Sequence, residues 1–94
     1  MGLYCYSAEA LNPTMVRAYE KHNGMLHGFI AARSQLEAIN EAMNQVHAYI
    51  MQCEDYDSVE MTVRRNEKIG TITVFETMNG KVLNHIQQFA VHEC

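Results

Sequence analysis

Long apolar runs, closely spaced cysteines and tryptophan are what this chain of 94 residues lacks. No stretch approaches the roughly 18–20 apolar residues that a membrane helix needs, so we expect no membrane partner. The N-terminus has no basic segment followed by a long apolar run, so it is not predicted to be a signal peptide.

The cysteines are few and isolated. Cys5, Cys53 and Cys94 are odd in number and widely spaced, which is typical of reduced thiols in a cytosol and not of a disulfide framework. We therefore expect two buried thiols, a loose thiol at the C-terminus and a cytoplasmic location.

Spacings that hold metals or phosphates are missing as well. Neither a Cys-x-x-Cys nor a His-x-x-x-His pair occurs. The five glycines are scattered, so they form no phosphate-cradling loop. We expect no metal, no cofactor and no catalysis; a metal- or thiol-dependent enzyme is the second alternative. The histidines and the C-terminal cysteine that this reading would use are His22, His27, His47, His85, His92 and Cys94.

Positive charge is absent from the middle of the chain. The net charge is −4, and the segment from Ser34 to Val63 holds six acids and no lysine or arginine. An acidic balance disfavours nucleic acid as the main partner.

An amphipathic helix over 35–53 is the clearest predicted element. Ser34 and Glu37 have the spacing of a capping box, in which each side chain binds a free backbone N–H of the first turn. Apolar residues then recur at steps of three and four, which predicts one buried face. These predicted core residues are Leu36, Ile39, Met43, Val46, Ile50 and Cys53.

A local pattern occurs twice, at 18–24 and at 74–80, and each copy ends in Asn-Gly. Asn-Gly tolerates positive φ and closes tight hairpins. The repeat therefore favours a hairpin over 14–33, closed at Asn23-Gly24. The alternative is a short helix capped by Asn12, with Pro13 at its first position.

Residues 3–6 are predicted to be a short strand, and 58–92 a three-stranded meander. Val59, Met61 and Val63 alternate with polar residues, as in a half-buried strand. A two-residue turn at Asn66-Glu67 would set Val63 opposite Gly70, Met61 opposite Ile72 and Val59 opposite Val74.

The register of the last strand is open between two turns. A two-residue turn at Asn79-Gly80 would turn Leu83, His85, Gln87 and Phe89 to the core. A bulged three-residue turn would turn Val82, Asn84, Ile86 and Ala90 there instead, because one residue of slip inverts the face.

The predicted fold class is therefore α+β. An antiparallel sheet, made of a hairpin and then a meander, packs on one long helix in the order ββαβββ within a single domain, 1–94.

Two surfaces suggest a function. The outer side of the helix is rich in amides and free of lysine, as interface cores often are. Acids that follow the helix oppose its dipole, so we expect a basic partner surface to favour them. Ordinary solvated surface is the alternative for both. The predicted contact residues are Asn40, Asn44, Gln45, His47 and Gln52 on the helix, and Glu54, Asp55, Asp57 and Glu60 after it.

We accordingly expect a non-catalytic protein-interaction module that binds and occludes or inhibits a larger partner. Because an uncovered sheet edge is liable to pair, we also expect a homodimer. Small acidic inhibitors encoded by phages and mobile elements share this size and charge, which is an analogy without a motif. The first alternative is a regulatory protein that contacts nucleic-acid phosphates through Arg64, Arg65 and Lys68 at a hairpin tip.

Overall fold

The structure is a computed structural model that describes residues 1–11, 16–53, 60–78 and 81–94, without the side chains of 60, 61, 76–78 and 81–86. Its elements follow the predicted order, with one short helix added. They are β1 (Gly2–Ala10), α1 (Arg17–Glu20), β2 (Met25–Ala32), α2 (Gln35–Cys53), β3 (Glu60–Asn66), β4 (Thr71–Met78) and β5 (Lys81–Glu93).

The five strands form one antiparallel sheet in the spatial order β2-β1-β5-β4-β3. The main helix α2 packs against β2, β5 and β1 on one face of this sheet. The α+β class and the ββαβββ order are thereby confirmed. β2 and β3 are the two edge strands, and the long strand β5 joins the two halves of the sheet.

Strand alternation separates the two faces of the sheet. On β1, Tyr4, Tyr6, Ala8 and Ala10 are buried towards the helices, while the residues between them are exposed or half-buried. The other face carries exposed apolar side chains; Phe29, for example, is 70% exposed. The covered face, α1 and α2 together enclose a single core cluster.

The helix boundaries at 35–53 match those of α2, and the Glu37 N–H donates to Ser34 Oγ at 3.2 Å as a cap requires. Met43, Val46 and Ile50 are buried as predicted, and Ile39 and Cys53 are partly buried. The prediction for Leu36 is wrong, because this side chain is 61% exposed. Fully buried Ala38 and Ala42 lie on the packed face of the helix instead.

The first strand of the hairpin predicted over 14–33 is wrong. Residues 17–20 form helix α1, and β2 pairs instead with β1. The adjacent residues Ala18 and Tyr19 are both fully buried. Neighbouring side chains of an edge strand would point to opposite faces of the sheet, so the short helix buries both where a strand would not. The proposed caps Asn12 and Pro13 lie outside the described residues.

Asn23 and Gly24 both have positive φ, of 56° and 88°, but they close the turn between α1 and β2. The predicted strand at 3–6 is confirmed and is longer than expected, spanning Gly2–Ala10.

The register of β3 on β4 differs from the expected one. Val63 pairs with Val74, and the turn after Asn66 is longer than two residues. The partner of Val63 moves by four residues along β4, and an even shift keeps the same side chains on the covered face.

The register of β5 is the one expected from the two-residue turn, and not the one expected from the bulged turn. Ile72 pairs with Gln87, and Met78 pairs with Lys81. Asn79 and Gly80 themselves lie outside the described residues. Gln87 is fully buried, and its amide has no hydrogen-bond partner among the described residues.

A disulfide joins Cys5 to Cys94, whose Cα atoms are 5.4 Å apart, so the expectation of reduced thiols is wrong for these two. β5 runs beside β1 to its end, and the Cys94 N–H donates to the Leu3 carbonyl at 3.1 Å. The C-terminus is therefore held in the sheet. Cys53 is the free cysteine. The expectation of a cytoplasmic location loses the support that it drew from reduced thiols.

Candidate functional site

A cavity of about 510 Å³ lies between β2 and α2 at one edge of the sheet. Four segments line it: β1, the turn after α1, β2 and α2. The cavity extends around the strand, since its lining includes Leu26 from the covered face of β2 and His27 from the opposite face. The lining residues are Tyr6, His22, Met25, Leu26, His27, Gln45, Val46 and Tyr49.

His22 and Tyr49 form one end of the cavity. The turn after α1 brings His22 against α2, where its Nε2 shares a hydrogen bond of 2.8 Å with the Tyr49 hydroxyl. The two ring centroids are 5.5 Å apart. Burial and a hydrogen bond with the Cys53 thiol raise the pKa of Tyr49. The phenol therefore stays protonated at neutral pH and acts as a hydrogen-bonding group, not as a base.

Tyr6 forms the wall nearest the sheet, and Gly28 is the reason that its ring fits there. A Cβ atom on Gly28 would lie 2.2 Å from Tyr6 Cε1, so only glycine leaves room for the ring across the strand. The Tyr6 hydroxyl donates to Gln45 Oε1 at 3.4 Å. Burial raises the pKa of Tyr6. The Tyr6 ring therefore occupies the place that a side chain at position 28 would take, and it lines the cavity there.

Among the described residues, none pairs with the backbone of β2 on the side away from β1. Ala10 N–H donates to the Gly24 carbonyl at 2.9 Å, which sets the phase of the ladder. Hydrogen-bonded pairs alternate along antiparallel strands, so even-numbered residues of β2 bond to β1. The N–H and C=O groups of His27, Phe29 and Ala31 therefore point outwards. We call these outward-pointing groups the β2 edge.

The β2 edge carries none of the usual protection against pairing. Natural edge strands commonly use charged residues, proline or bulges to prevent association. The sequence of β2, MLHGFIAA, contains no lysine, arginine, carboxylate or proline. The cavity lining is also without these charged groups. The arrangement can bind an uncharged, extended segment through backbone hydrogen bonds and an apolar contact.

The amide-rich face predicted on α2 is divided between two flanks of the helix. Asn44 accepts a hydrogen bond from the Arg65 guanidinium on the β3 side, and half-buried His47 lies near the same arginine. Half-buried Asn40 lies one turn before Asn44 on that flank. Gln45 lines the cavity on the opposite flank, and exposed Gln52 follows it two turns later.

Of the acids predicted after the helix, Glu54, Asp55 and Asp57 lie outside the described residues. Glu60 begins β3, and its side chain is not described.

The three cations of the nucleic-acid alternative do not share a surface. Arg64 lies 5.4 Å from the centroid of the Phe75 ring on the open face of the sheet. Arg65 points the other way, to Asn44 of α2. Lys68 lies in the turn, where its N–H donates to Asn66 Oδ1 at 3.2 Å.

Most of the cavity residues were not among the predicted contact residues. His22 and Tyr49 are 27 residues apart, and no spacing rule links them. The alternation of β1 and the uncharged composition of β2 were the available signals. Together they would have indicated an unprotected edge.

Comparison with protein-family models, with curated proteins and with solved structures found no match for this chain. In the described part of the chain, no helix is long and apolar enough to cross a membrane. The same residues include no group of three or more histidine, cysteine or acidic side chains placed to hold a metal ion.

Proposed function

We propose that the protein is a non-catalytic interaction module that captures an extended segment of another protein along the β2 edge. The observation that carries the proposal is an edge strand of eight residues with outward backbone groups and no charge or proline. An added strand would pair with His27, Phe29 and Ala31, because main-chain hydrogen bonds supply affinity in this mode of recognition. A segment held in this way is occluded from other partners, which is how such a module inhibits.

The segment from Ser34 to Val63 is acidic, so we expect the partner surface around the captured segment to be basic. Exposed Glu41 lies one turn before Gln45 on the cavity side of α2. We propose that Glu41 and the acids at 54–60 attract such a partner and raise its association rate, as complementary charge does.

This function can be tested with peptides about as long as β2. Binders are selected from a displayed random library, sequenced and synthesised. The readout is amide hydrogen exchange. We expect a selected peptide to slow exchange at His27, Phe29 and Ala31, and to leave Leu26 and Ile30 unchanged because their amides already bond to β1. Protection that is absent from these three amides would refute strand capture.

Two substitutions at Ala31 sharpen the test. Ala31→Pro removes an outward N–H without touching the β1 ladder, whereas Ala31→Thr keeps it. One lost donor costs about 1–3 kcal/mol, so Ala31→Pro should bind selected peptides roughly 5- to 150-fold more weakly. Equal affinity for both variants would contradict the proposal.

A second copy of the chain is the competing occupant of this edge. Light scattering over a range of concentrations distinguishes it from a foreign segment. A stable dimer whose His27, Phe29 and Ala31 amides are protected without peptide would show self-pairing, and partner capture by this edge would then be wrong.

A further inference from the structure

We propose that the cavity beside β2 binds an aromatic side chain, and that this side chain belongs to the captured segment. That the side chain comes from a captured segment rests on the proposed function. That the side chain is aromatic rests only on the residues that line the cavity.

The geometry of an added strand directs one side chain into the cavity. Residues that lie directly opposite each other on paired strands share a face of the sheet. A residue opposite Gly28 or Leu26 would therefore point to the α2 side, where the cavity lies. Leu26 and Tyr6 both line the cavity, and the Tyr6 ring occupies the side-chain position of Gly28, so an incoming side chain would contact this ring.

The chemistry of the lining selects a neutral ring. Leu26, Val46 and Met25 provide apolar surface, and none of the eight lining residues is a carboxylate, lysine or arginine. A charged side chain placed there would lose its hydration without gaining an ion pair from the lining. Aromatic side chains bury more area than aliphatic ones and pack with other rings in offset or edge-to-face contacts. Tyr6, Tyr49 and His22 present such rings.

The volume and the polar groups agree with this choice. About 510 Å³ is within the range of small-molecule sites and exceeds what one aliphatic side chain fills. The Tyr6–Gln45 and His22–Tyr49 hydrogen bonds place polar atoms at the cavity walls. An indole N–H or a phenol O–H can be satisfied there.

Blocked amino acids test the cavity without any strand. N-acetyl-tryptophanamide, N-acetyl-leucinamide and N-acetyl-lysinamide are titrated in turn, and the NMR shifts of Met25, Gln45 and Tyr49 are followed. We expect the tryptophan derivative to bind at least about tenfold more tightly than the other two. Equal affinities, or shifts confined to Leu3 and Phe29 on the open face, would overturn the inference.

Two exposed positions on α2 supply matched variants. Gln45→Trp places a ring into the cavity, while Ala48→Trp places one on the outer side of the same helix. Gln45→Trp should weaken binding of the tryptophan derivative roughly tenfold or more, and Ala48→Trp should leave it unchanged. Tyr49→Leu removes one wall ring and should weaken binding even if Gln45→Trp does not fold. Unchanged binding in Tyr49→Leu would also overturn the inference.

The two proposals fail in different ways. If the tryptophan derivative does not bind while selected peptides still protect Phe29 and Ala31, the aromatic site is wrong and strand capture is supported. If the derivative binds while no peptide protects those amides, the aromatic site is supported and strand capture is wrong.

Discussion

The two edges of the sheet are built in opposite ways. β3 carries charged residues along its length, including Arg64 against Phe75 and Arg65 against Asn44. β2 has no such residue, and its edge groups lie beside a neutral cavity. Charged edges resist pairing, whereas uncharged ones invite it. The difference favours β2 over β3 as the edge for the proposed binding, and β2 lies at the opposite edge of the sheet from Arg64 and Arg65.

The largest expected effect comes from the disulfide, which fastens β1, the neighbour of β2, to the end of β5. The linked cysteines are 89 residues apart, and a loop of that length gives about 4–5 kcal/mol in chain-entropy models. Cys94→Ser should lower the free energy of unfolding by this order in urea titrations. Hydrogen exchange should accelerate more in β1 and β2 than in β3. Cys53→Ser is the control. A similar decrease in its free energy of unfolding would contradict the attribution of the effect to the Cys5–Cys94 disulfide.

The next effect concerns Gly28, the position that leaves room for Tyr6. Gly28→Ala forces the ring to move, and overpacking of this kind costs about 1–3 kcal/mol. Gly2→Ala is the matched change, since a Cβ there meets nothing closer than 3.5 Å. Thermal and urea unfolding should separate the two variants. Equal stability would mean that the Tyr6 ring is free to leave the strand.

A smaller effect tests the protection of β3. Arg64→Thr removes a cation–π contact worth about 0.5–1 kcal/mol and makes the strand less charged. We expect this variant to self-associate more than wild type in concentration-dependent light scattering. Arg64→Lys keeps the charge and should behave as wild type. Self-association of both variants would show that charge at this position does not guard the edge.

The smallest effect is a pH dependence on the β3 side of α2. Burial, and then the nearby Arg65 charge, lower the pKa of His47 below the ordinary 6.5. The unfolded chain then binds the proton more tightly, so this contribution to stability is complete above pH 6.5 and is lost as pH falls through the folded pKa.

His47→Gln should remove that part of the pH dependence. Arg65→Gln should raise the pKa of His47 only partway, because burial remains the larger cause. NMR titration of the His47 ring measures both. An unchanged pKa in Arg65→Gln would show that the arginine does not act on this histidine.

Predictions from the sequence were correct for elements whose structure depends on residues close together in the chain. The cap at Ser34 and the apolar period placed α2 at its observed ends, because both depend on residues within a few positions. A prediction of the same kind failed at 18–24, whose echo at 74–80 suggested a hairpin. Two segments with one pattern became a helix and a strand. In the first, Ala18 and Tyr19 are buried in the core cluster, where α1 contacts α2.

Composition and periodicity by themselves determined the α+β class, the order of the main elements and the single long helix. The tertiary structure alone decided that β2 pairs with β1, that Cys5 meets Cys94, and that His22 meets Tyr49. It also divided the predicted amide face and separated Arg64 from Arg65. The physical reason is the sequence separation of the contacts. Helix periods and caps depend on residues a few positions apart, whereas the pairing of strands depends on burying a whole face of the sheet against distant residues.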